Sequence, residues 1–490
     1  SYTDAPGAPL AKLTRTVARG QRVGTTFAAR PLRDLGEATL TASDLKGPSG
    51  SIPAKRIDLR YFHHQPARGH NDVAYVLQPR GLRPVAGAGL TLGKDLTRQF
   101  LVTVDVPADA KPGLYAGEIV LAAGPLKHAV PIEIEVLDLE LAPLDYPSGF
   151  FGLDIPGGIA DPEATYRALF TLFRSHGMTT FSGGPGVTFQ GFAADGTPRL
   201  DTAACDDYLR IARECGFTGE VFSYGGPGWI HGLYDGEHRQ AWEASGKPFA
   251  ELLRVVWTAH AEHAKAAGWQ QINFGVIDEP RTDDGVKGVI DFLDQHRTAV
   301  PFLRLGGFYS VNWDDNHHGI QDIFGKTVWS GMGVWGAKDI AKAKELGVEL
   351  YLYNQGADRV TMGALAWAAR QRGIEGSICW HGWALHGYQY FDLDGREPDT
   401  AMVHWGKGVL YPTLHLARSA EGVADLRFAI TLDRAARAAG DRPEAKEALA
   451  WLAGIVDGIV PGTRDLPPEI AGEDAFRDGC IERLRKLAER

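Results

Sequence analysis

Four cysteines in 490 residues are too few to staple a scaffold. Cys205 and Cys215 sit ten positions apart on what reads as one helix, which separates them too far for a disulfide at roughly 1.5 Å per residue. Cys379 and Cys480 have no partner at metal-ligand spacing, so a zinc ribbon is excluded as well. No apolar run approaches the roughly 20 residues a membrane-crossing helix needs, and the chain reads as soluble, without membrane insertion. Positive charge is not in excess: 51 Lys and Arg against 61 Asp and Glu give a net charge of −10. That removes the electrostatic basis for gripping nucleic acid. The first residues, Ser-Tyr-Thr-Asp-Ala-Pro-Gly, lack an initiator Met and a basic-then-apolar leader, as in a processed or trimmed form.

Glycine and proline are plentiful, 60 and 28, and scattered without period, which excludes collagen and implies many tight connections between short elements. From Gln21 to about Leu141 the pattern has period two. In the run ending at Val106, Val102, Val104 and Val106 share one face while Thr103 and Asp105 share the other, as in a sheet with one wet side. Ile132, Ile134 and Val136 alternate with Glu133 and Glu135, after which Leu137, Leu139 and Leu141 continue in opposite phase, predicting a bulge near Val136. Residues 1–145 read as an N-terminal β-sandwich. His63, His64, His70 and Asp72 fall within it and are assigned to edge strands and loops, with no metal role.

From Phe150 onward short apolar runs alternate with helical stretches, the sign of parallel β/α architecture. Eight strands are predicted, at 149–154, 178–182, 220–224, 271–278, 302–309, 327–330, 348–354 and 376–381. Eight is the number a closed (β/α)8 TIM-type barrel requires. The barrel is assigned to 146–412, and 413–490 to a C-terminal helical extension packed on it. Phe249, Leu252, Leu253, Val256, Trp257 and His260 form one buried helical stripe, so the His260-x-x-His263 pair is not a metal site. A dinucleotide fold is the main competitor, because Gly331-Met-Gly-Val-Trp-Gly336 matches G-x-G-x-x-G after a strand. Bulky Trp335 and the motif's late position argue against it.

Barrel chemistry resides at the carboxyl ends of strands. The fourth strand ends Asp278-Glu279-Pro280, an apolar run closing in two adjacent carboxylates, with the proline expected to stop the strand and hold Glu279 extended. Neighbouring carboxylates repel, which favours one neutral acid beside one anion. Adjacent residues of a regular strand face opposite ways, so both address one pocket only if the strand kinks there. The competing reading is an acidic cap on the next helix, since Asp283 and Asp284 follow closely.

The other rims supply Asp154, Tyr224, Trp229, His231, Tyr309, Trp313, Trp329, Trp335, Tyr353, Asn354, Trp380, His381 and Trp383. Many rings around one mouth suggest a sugar, because pyranose faces stack on aromatics while Asp, Asn and His bind hydroxyls. A glycan substrate is therefore the expected partner. An ordinary retaining glycosidase needs a second carboxylate about 5 Å across from the acid. The seventh strand instead ends Tyr353-Asn354-Gln355. Substrate-assisted cleavage resolves this: a 2-acetamido oxygen attacks its own anomeric carbon while one carboxylate orients the amide and its neighbour protonates the leaving oxygen.

At this point the sequence resembles glycoside hydrolase family 123 and related barrel glycosidases. The resemblance rests on the Asp-Glu-Pro at 278–280, the sandwich turn Asp109-Ala-Lys-Pro-Gly-Leu-Tyr-Ala-Gly117, and Arg418-Ser-Ala-Glu-Gly-Val-Ala-Asp425. The chain departs from that family in reading Asp425-Leu-Arg where relatives often carry Asp-Tyr-Glu. The resemblance implies a β-N-acetylgalactosaminidase with Asp278 orienting the acetamido group and Glu279 as acid/base. No cofactor or metal is demanded. Two further readings stay open: a glycosidase of other specificity using Glu279 as acid with water or a loop carboxylate such as Asp154, and a non-hydrolytic carbohydrate-binding protein. Substrate class alone points to a secreted or periplasmic home.

Overall fold

The computed structural model describes residues 4, 7, 9–67, 74–87, 89–155, 157–224, 229–234, 236–280, 282–310, 320–333, 335–382, 401–406 and 409–489. Trp313, Trp383, His70 and Asp72 lie outside them. The chain divides into two compact units, one of residues 1–143 with 383–435, the other of 144–382 with 436–490. Residues 413–435 fall in the first unit and 436–490 in the second.

In the first unit two sheets enclose one core. Leu13–Arg19, Leu126–Glu140, Gly113–Ala123, Leu45–Gly47 and Gly50–Ile52 follow one another in the first sheet, and Arg22–Ala29, Arg98–Asp105, Ile57–Ala67 and Val76–Pro84 in the second. Val17, Ile132 and Ile134 from one sheet meet Phe27, Phe100, Val102 and Val104 from the other. The predicted bulge is present, since the register of Leu13–Arg19 along its partner jumps between Val136 and Glu140. The face expected to be wet is covered instead: Thr103 is buried, and Leu101 joins Phe62 and Leu82 beneath Leu414 and Ala417. Packing also accounts for two of the motifs quoted above. A Cβ on Gly113 would lie 2.7 Å from Pro48, and the Glu421 carboxylate accepts a hydrogen bond from the Gly24 amide at 2.8 Å.

The second unit is built on eight strands, all parallel: Ser148–Phe150, Thr180–Phe181, Val221–Tyr224, Ile272–Asp278, Leu305–Tyr309, Trp329–Met332, Glu349–Tyr353 and Gly376–Cys379. A bridge between Ser182 and Phe222 joins the second strand to the third and closes the ring. Every connection between consecutive strands contains at least one helical segment. Helix Phe249–Ala267 buries the stripe read from the sequence, including His260, and ends at Gly268 in a left-handed cap with φ 66°. His263 pairs with Asp206 at 2.9 Å, and no metal-holding cluster exists among the described residues.

Large rings fill the barrel because facing strands carry glycine. Phe151, Phe222, Phe308, Trp329, Tyr351, Tyr353 and Ile378 form its interior. A Cβ on Gly306 would stand 2.4 Å from the Trp329 ring, and one on Gly331 would stand 2.6 Å from Phe308. The glycine at the head of the G-x-G-x-x-G match thus serves close packing. Below the rings, Asn273 and Tyr351 donate to Glu220 at 2.8 and 2.7 Å, while Arg304 bonds Asn273 and pairs with Glu349.

Candidate active site

Asp278 is the last residue of the fourth barrel strand, and Glu279 follows it with φ 42°. This corrects the expectation that Pro280 holds Glu279 extended: the backbone is left-handed there, which breaks the strand's alternation of side chains. A second irregularity lies just upstream, where the register against the fifth strand shifts between Gly275 and Ile277. The turn is fixed at its far side by the Glu279 amide, which donates to the Phe308 carbonyl at 2.9 Å. The helix-cap alternative fails, since the cap of helix Asp283–Ala299 is Thr282, whose side chain accepts from the Gly285 amide.

Two phenols receive the acid pair. The Tyr224 hydroxyl donates to the Asp278 carboxylate at 2.5 Å, and the Tyr353 phenol lies within electrostatic reach of Glu279. Burial is the main reason both phenols are pushed far above the ordinary tyrosine range, and both carboxylates add to it at each ring. Each phenol thus feels both acids, so Asp278 and Glu279 share one locality at the carboxyl end of the barrel. Tyr224 is 41% exposed, which opens that locality to solvent, whereas Tyr353 is buried.

A group of rings surrounds the pair. Phe151 meets Tyr224, Phe308, Tyr353 and Trp380 at centroid distances of 5.3, 4.8, 5.7 and 6.3 Å. Trp380 also lies 6.1 Å from Tyr224, and its amide donates to the Asn354 side chain at 2.7 Å. Asn354 itself sits at φ 53°, a conformation asparagine tolerates better than most residues. His381 adjoins Trp380 and is buried. Phe151 and Phe308 were absent from the sequence-derived set. For Phe308 the signal was the pair of strand glycines opposite it, Gly275 and Gly331, which only a closed barrel turns into room for a ring.

Asp154 follows the first strand and accepts a hydrogen bond from the Gly184 amide at 2.7 Å. Burial raises its pKa, against the lowering effect of that bond. Its electrostatic neighbours are Tyr166 and Tyr208. His231 is exposed and pairs with Thr188 in a small accessory sheet.

Four of the proposed sugar-stacking rings belong to the interior. Trp329 is fully buried and donates to the Arg304 carbonyl. Tyr309 is buried against Phe324. Trp335 is buried and donates to Gln355 at 3.2 Å. Trp229 turns toward helix Phe249–Ala267, donating to the His260 ring at 2.9 Å and packing on Phe274. Trp329 opens its strand instead of ending it, and Trp229 and Trp335 lie outside the barrel strands, so a count of aromatics near predicted strand ends does not separate mouth from interior.

No protein-family model and no curated protein matches this chain. Among solved structures, it is similar to a family 123 glycoside hydrolase from Clostridium perfringens described in the context of glycolipid glycan hydrolysis. The TM-score is 0.66 and the identity 15%, covering 98% of this chain and 93% of that one. A GH10 xylanase with a bacterial Ig-like domain from termite gut matches with a TM-score of 0.32 at 13% identity, over 84% of this chain and 98% of that one. An endo-β-1,4-mannanase from Thermotoga petrophila reaches 0.33 at 12% identity, over 58% and 77%. Scores this low carry no argument. The first similarity extends over both units, and on it the chain has the fold of a family 123 glycoside hydrolase.

Proposed function

We propose that this chain is an exo-acting glycoside hydrolase that removes a terminal β-linked N-acetylhexosamine, with N-acetylgalactosamine favoured, by substrate-assisted retaining catalysis. The observation that carries the reading is the left-handed turn at Glu279, which puts two consecutive carboxylates beside two phenols in a ring-lined locality at the barrel end. The fold shared with a family 123 glycoside hydrolase supports it, as does the seventh strand, which offers Tyr353 and Asn354 where a protein nucleophile would stand.

In this mechanism the Asp278 carboxylate accepts a hydrogen bond from the substrate amide N–H and so turns the acetamido oxygen toward the anomeric carbon. That oxygen attacks as the glycosidic bond breaks, and Glu279 donates its proton to the departing oxygen. Glu279, now a carboxylate, then takes a proton from the water that opens the cyclic intermediate, restoring both groups. Tyr224 holds Asp278 in place with its 2.5 Å hydrogen bond, and Trp380, set by Asn354, offers a ring for the sugar. The substrate class puts the enzyme in a secreted or periplasmic setting, which fractionation of cells making the native protein would check.

The deciding experiment uses a thiazoline mimic of the cyclic intermediate. Inhibition far tighter than by the parent sugar is expected, with retention of anomeric configuration by NMR. Indifference to the thiazoline, or an inverted product, removes the assisted route. Asp154 favours a second reading, since it is a rim carboxyl raised by burial and held by a backbone amide. In that case Asp154→Asn, rather than Asp278→Asn, would abolish turnover of aryl glycosides lacking an acetamido group.

A further inference from the structure

Within the barrel unit, a cleft of about 470 Å³ opens between the hairpin Val187–Phe192/Pro198–Asp201 and the helix Glu237–Ala244. None of its lining residues belongs to the acid pair or to the rings around it. In a chain where acids outnumber bases, the lining contains Arg199, His238 and Lys247 and no Asp or Glu. Among the described residues neither Arg199 nor Lys247 has an ion-pair partner.

The walls are stiff. Trp242 stacks on Phe192 at 5.4 Å with 28° between planes, and its ring N–H donates to the Pro248 carbonyl at 3.1 Å. Arg199 donates to the Gln190 carbonyl at 2.9 Å, which directs the guanidinium along the cleft edge. Lys247 lies 4.7 Å over the Trp242 ring, so its ammonium is beside an aromatic surface and not dispersed in solvent. His238 packs edge-on against Phe189. A lysine over a fixed indole, with a second cation anchored across the cleft, matches a ligand with a negative group on a compact body that offers C–H faces.

We propose that this cleft is a second carbohydrate site, which takes a saccharide unit bearing a sulfate or carboxylate. Arg199 and Lys247 hold the anionic group, and the Phe192–Trp242 pair supports the ring. The site tethers an acidic glycan while the barrel mouth processes another part of it.

The test is ligand-observed NMR on the full chain, titrated with glucose 6-sulfate, glucuronate, glucose and inorganic sulfate. Binding of both acidic sugars is expected, at least tenfold tighter than glucose and than inorganic sulfate. Arg199→Ala and Lys247→Glu, both on exposed side chains, should each weaken it tenfold or more and leave hydrolysis of a small aryl glycoside unchanged. Equal binding of glucose refutes the anionic requirement. Equal binding of inorganic sulfate makes the cleft a bare anion site and refutes the saccharide assignment. Acidic-sugar binding unaffected by either variant places it elsewhere and overturns the proposal.

Discussion

Glu279 occupies a backbone conformation, φ 42°, that costs a residue with a side chain about 1–2 kcal/mol. Three substitutions separate that cost from the chemistry. Glu279→Gln keeps the length and the backbone penalty while removing the acid. Glu279→Asn keeps an amide on a residue that enters the left-handed region more readily. Glu279→Gly abolishes the penalty but loosens the unfolded chain, a loss of about 0.5–1 kcal/mol. All three remove the proton donor, so kcat on poor leaving groups should fall by about 10²–10⁴, with aryl glycosides of very acidic leaving groups spared. Stability should follow a different order. Asn should exceed Gln by about 1 kcal/mol, roughly 1 °C in the unfolding midpoint of the 490-residue chain, with Gly between them. Scanning calorimetry and urea unfolding of the full chain measure this directly. A Gln variant as stable as the Asn variant would mean that no strain is stored at this turn and would refute the account of how the two carboxylates come together.

Tyr224→Phe deletes a charge-assisted hydrogen bond to Asp278 and should lower kcat/KM by about 10- to 100-fold, with fold and midpoint preserved; steady-state kinetics checks it. Gly306→Ala drives a methyl group into the Trp329 ring and should cost about 2–3 kcal/mol by urea unfolding. His260 and His296 are held neutral by burial, with pKa values lowered from 6.5 to about 4. The unfolded chain therefore binds protons that the folded one refuses, so stability is complete above pH 6.5 and falls between 6.5 and 4. The loss is at most about 3 kcal/mol per histidine, visible as a drop in melting temperature that His260→Gln should reduce.

The eight barrel strands were legible because each is a short apolar run closed by turn residues, and a parallel strand buried on both faces needs no more than that. The acid pair was legible for the same reason, as the polar end of such a run. The depth of individual rings was not. Trp329 and Tyr353 lie on neighbouring strands and both point into the barrel, yet Trp329 opens its strand and sits deep while Tyr353 closes its own and stands near Glu279, and the room for each ring comes from glycines on the adjoining strands. The positive φ at Glu279 was likewise hidden, since proline reports on its neighbour's steric limits and not on the carbonyl of Phe308 that anchors the turn. The covered face of Arg98–Asp105 escaped notice because its cover, Leu414 and Ala417, comes some 300 residues later.

The plug of rings has an electrical consequence. With Phe222, Phe308, Trp329 and Tyr351 buried in the lumen, the medium between the lower charges of Glu220, Arg304 and Glu349 and the acids above is apolar, so little solvent screening separates the two sets. The two ends of the barrel are then electrically coupled: neutralising Arg304 should weaken the scaffold and also move the pH–rate profile of the upper chamber toward higher pH.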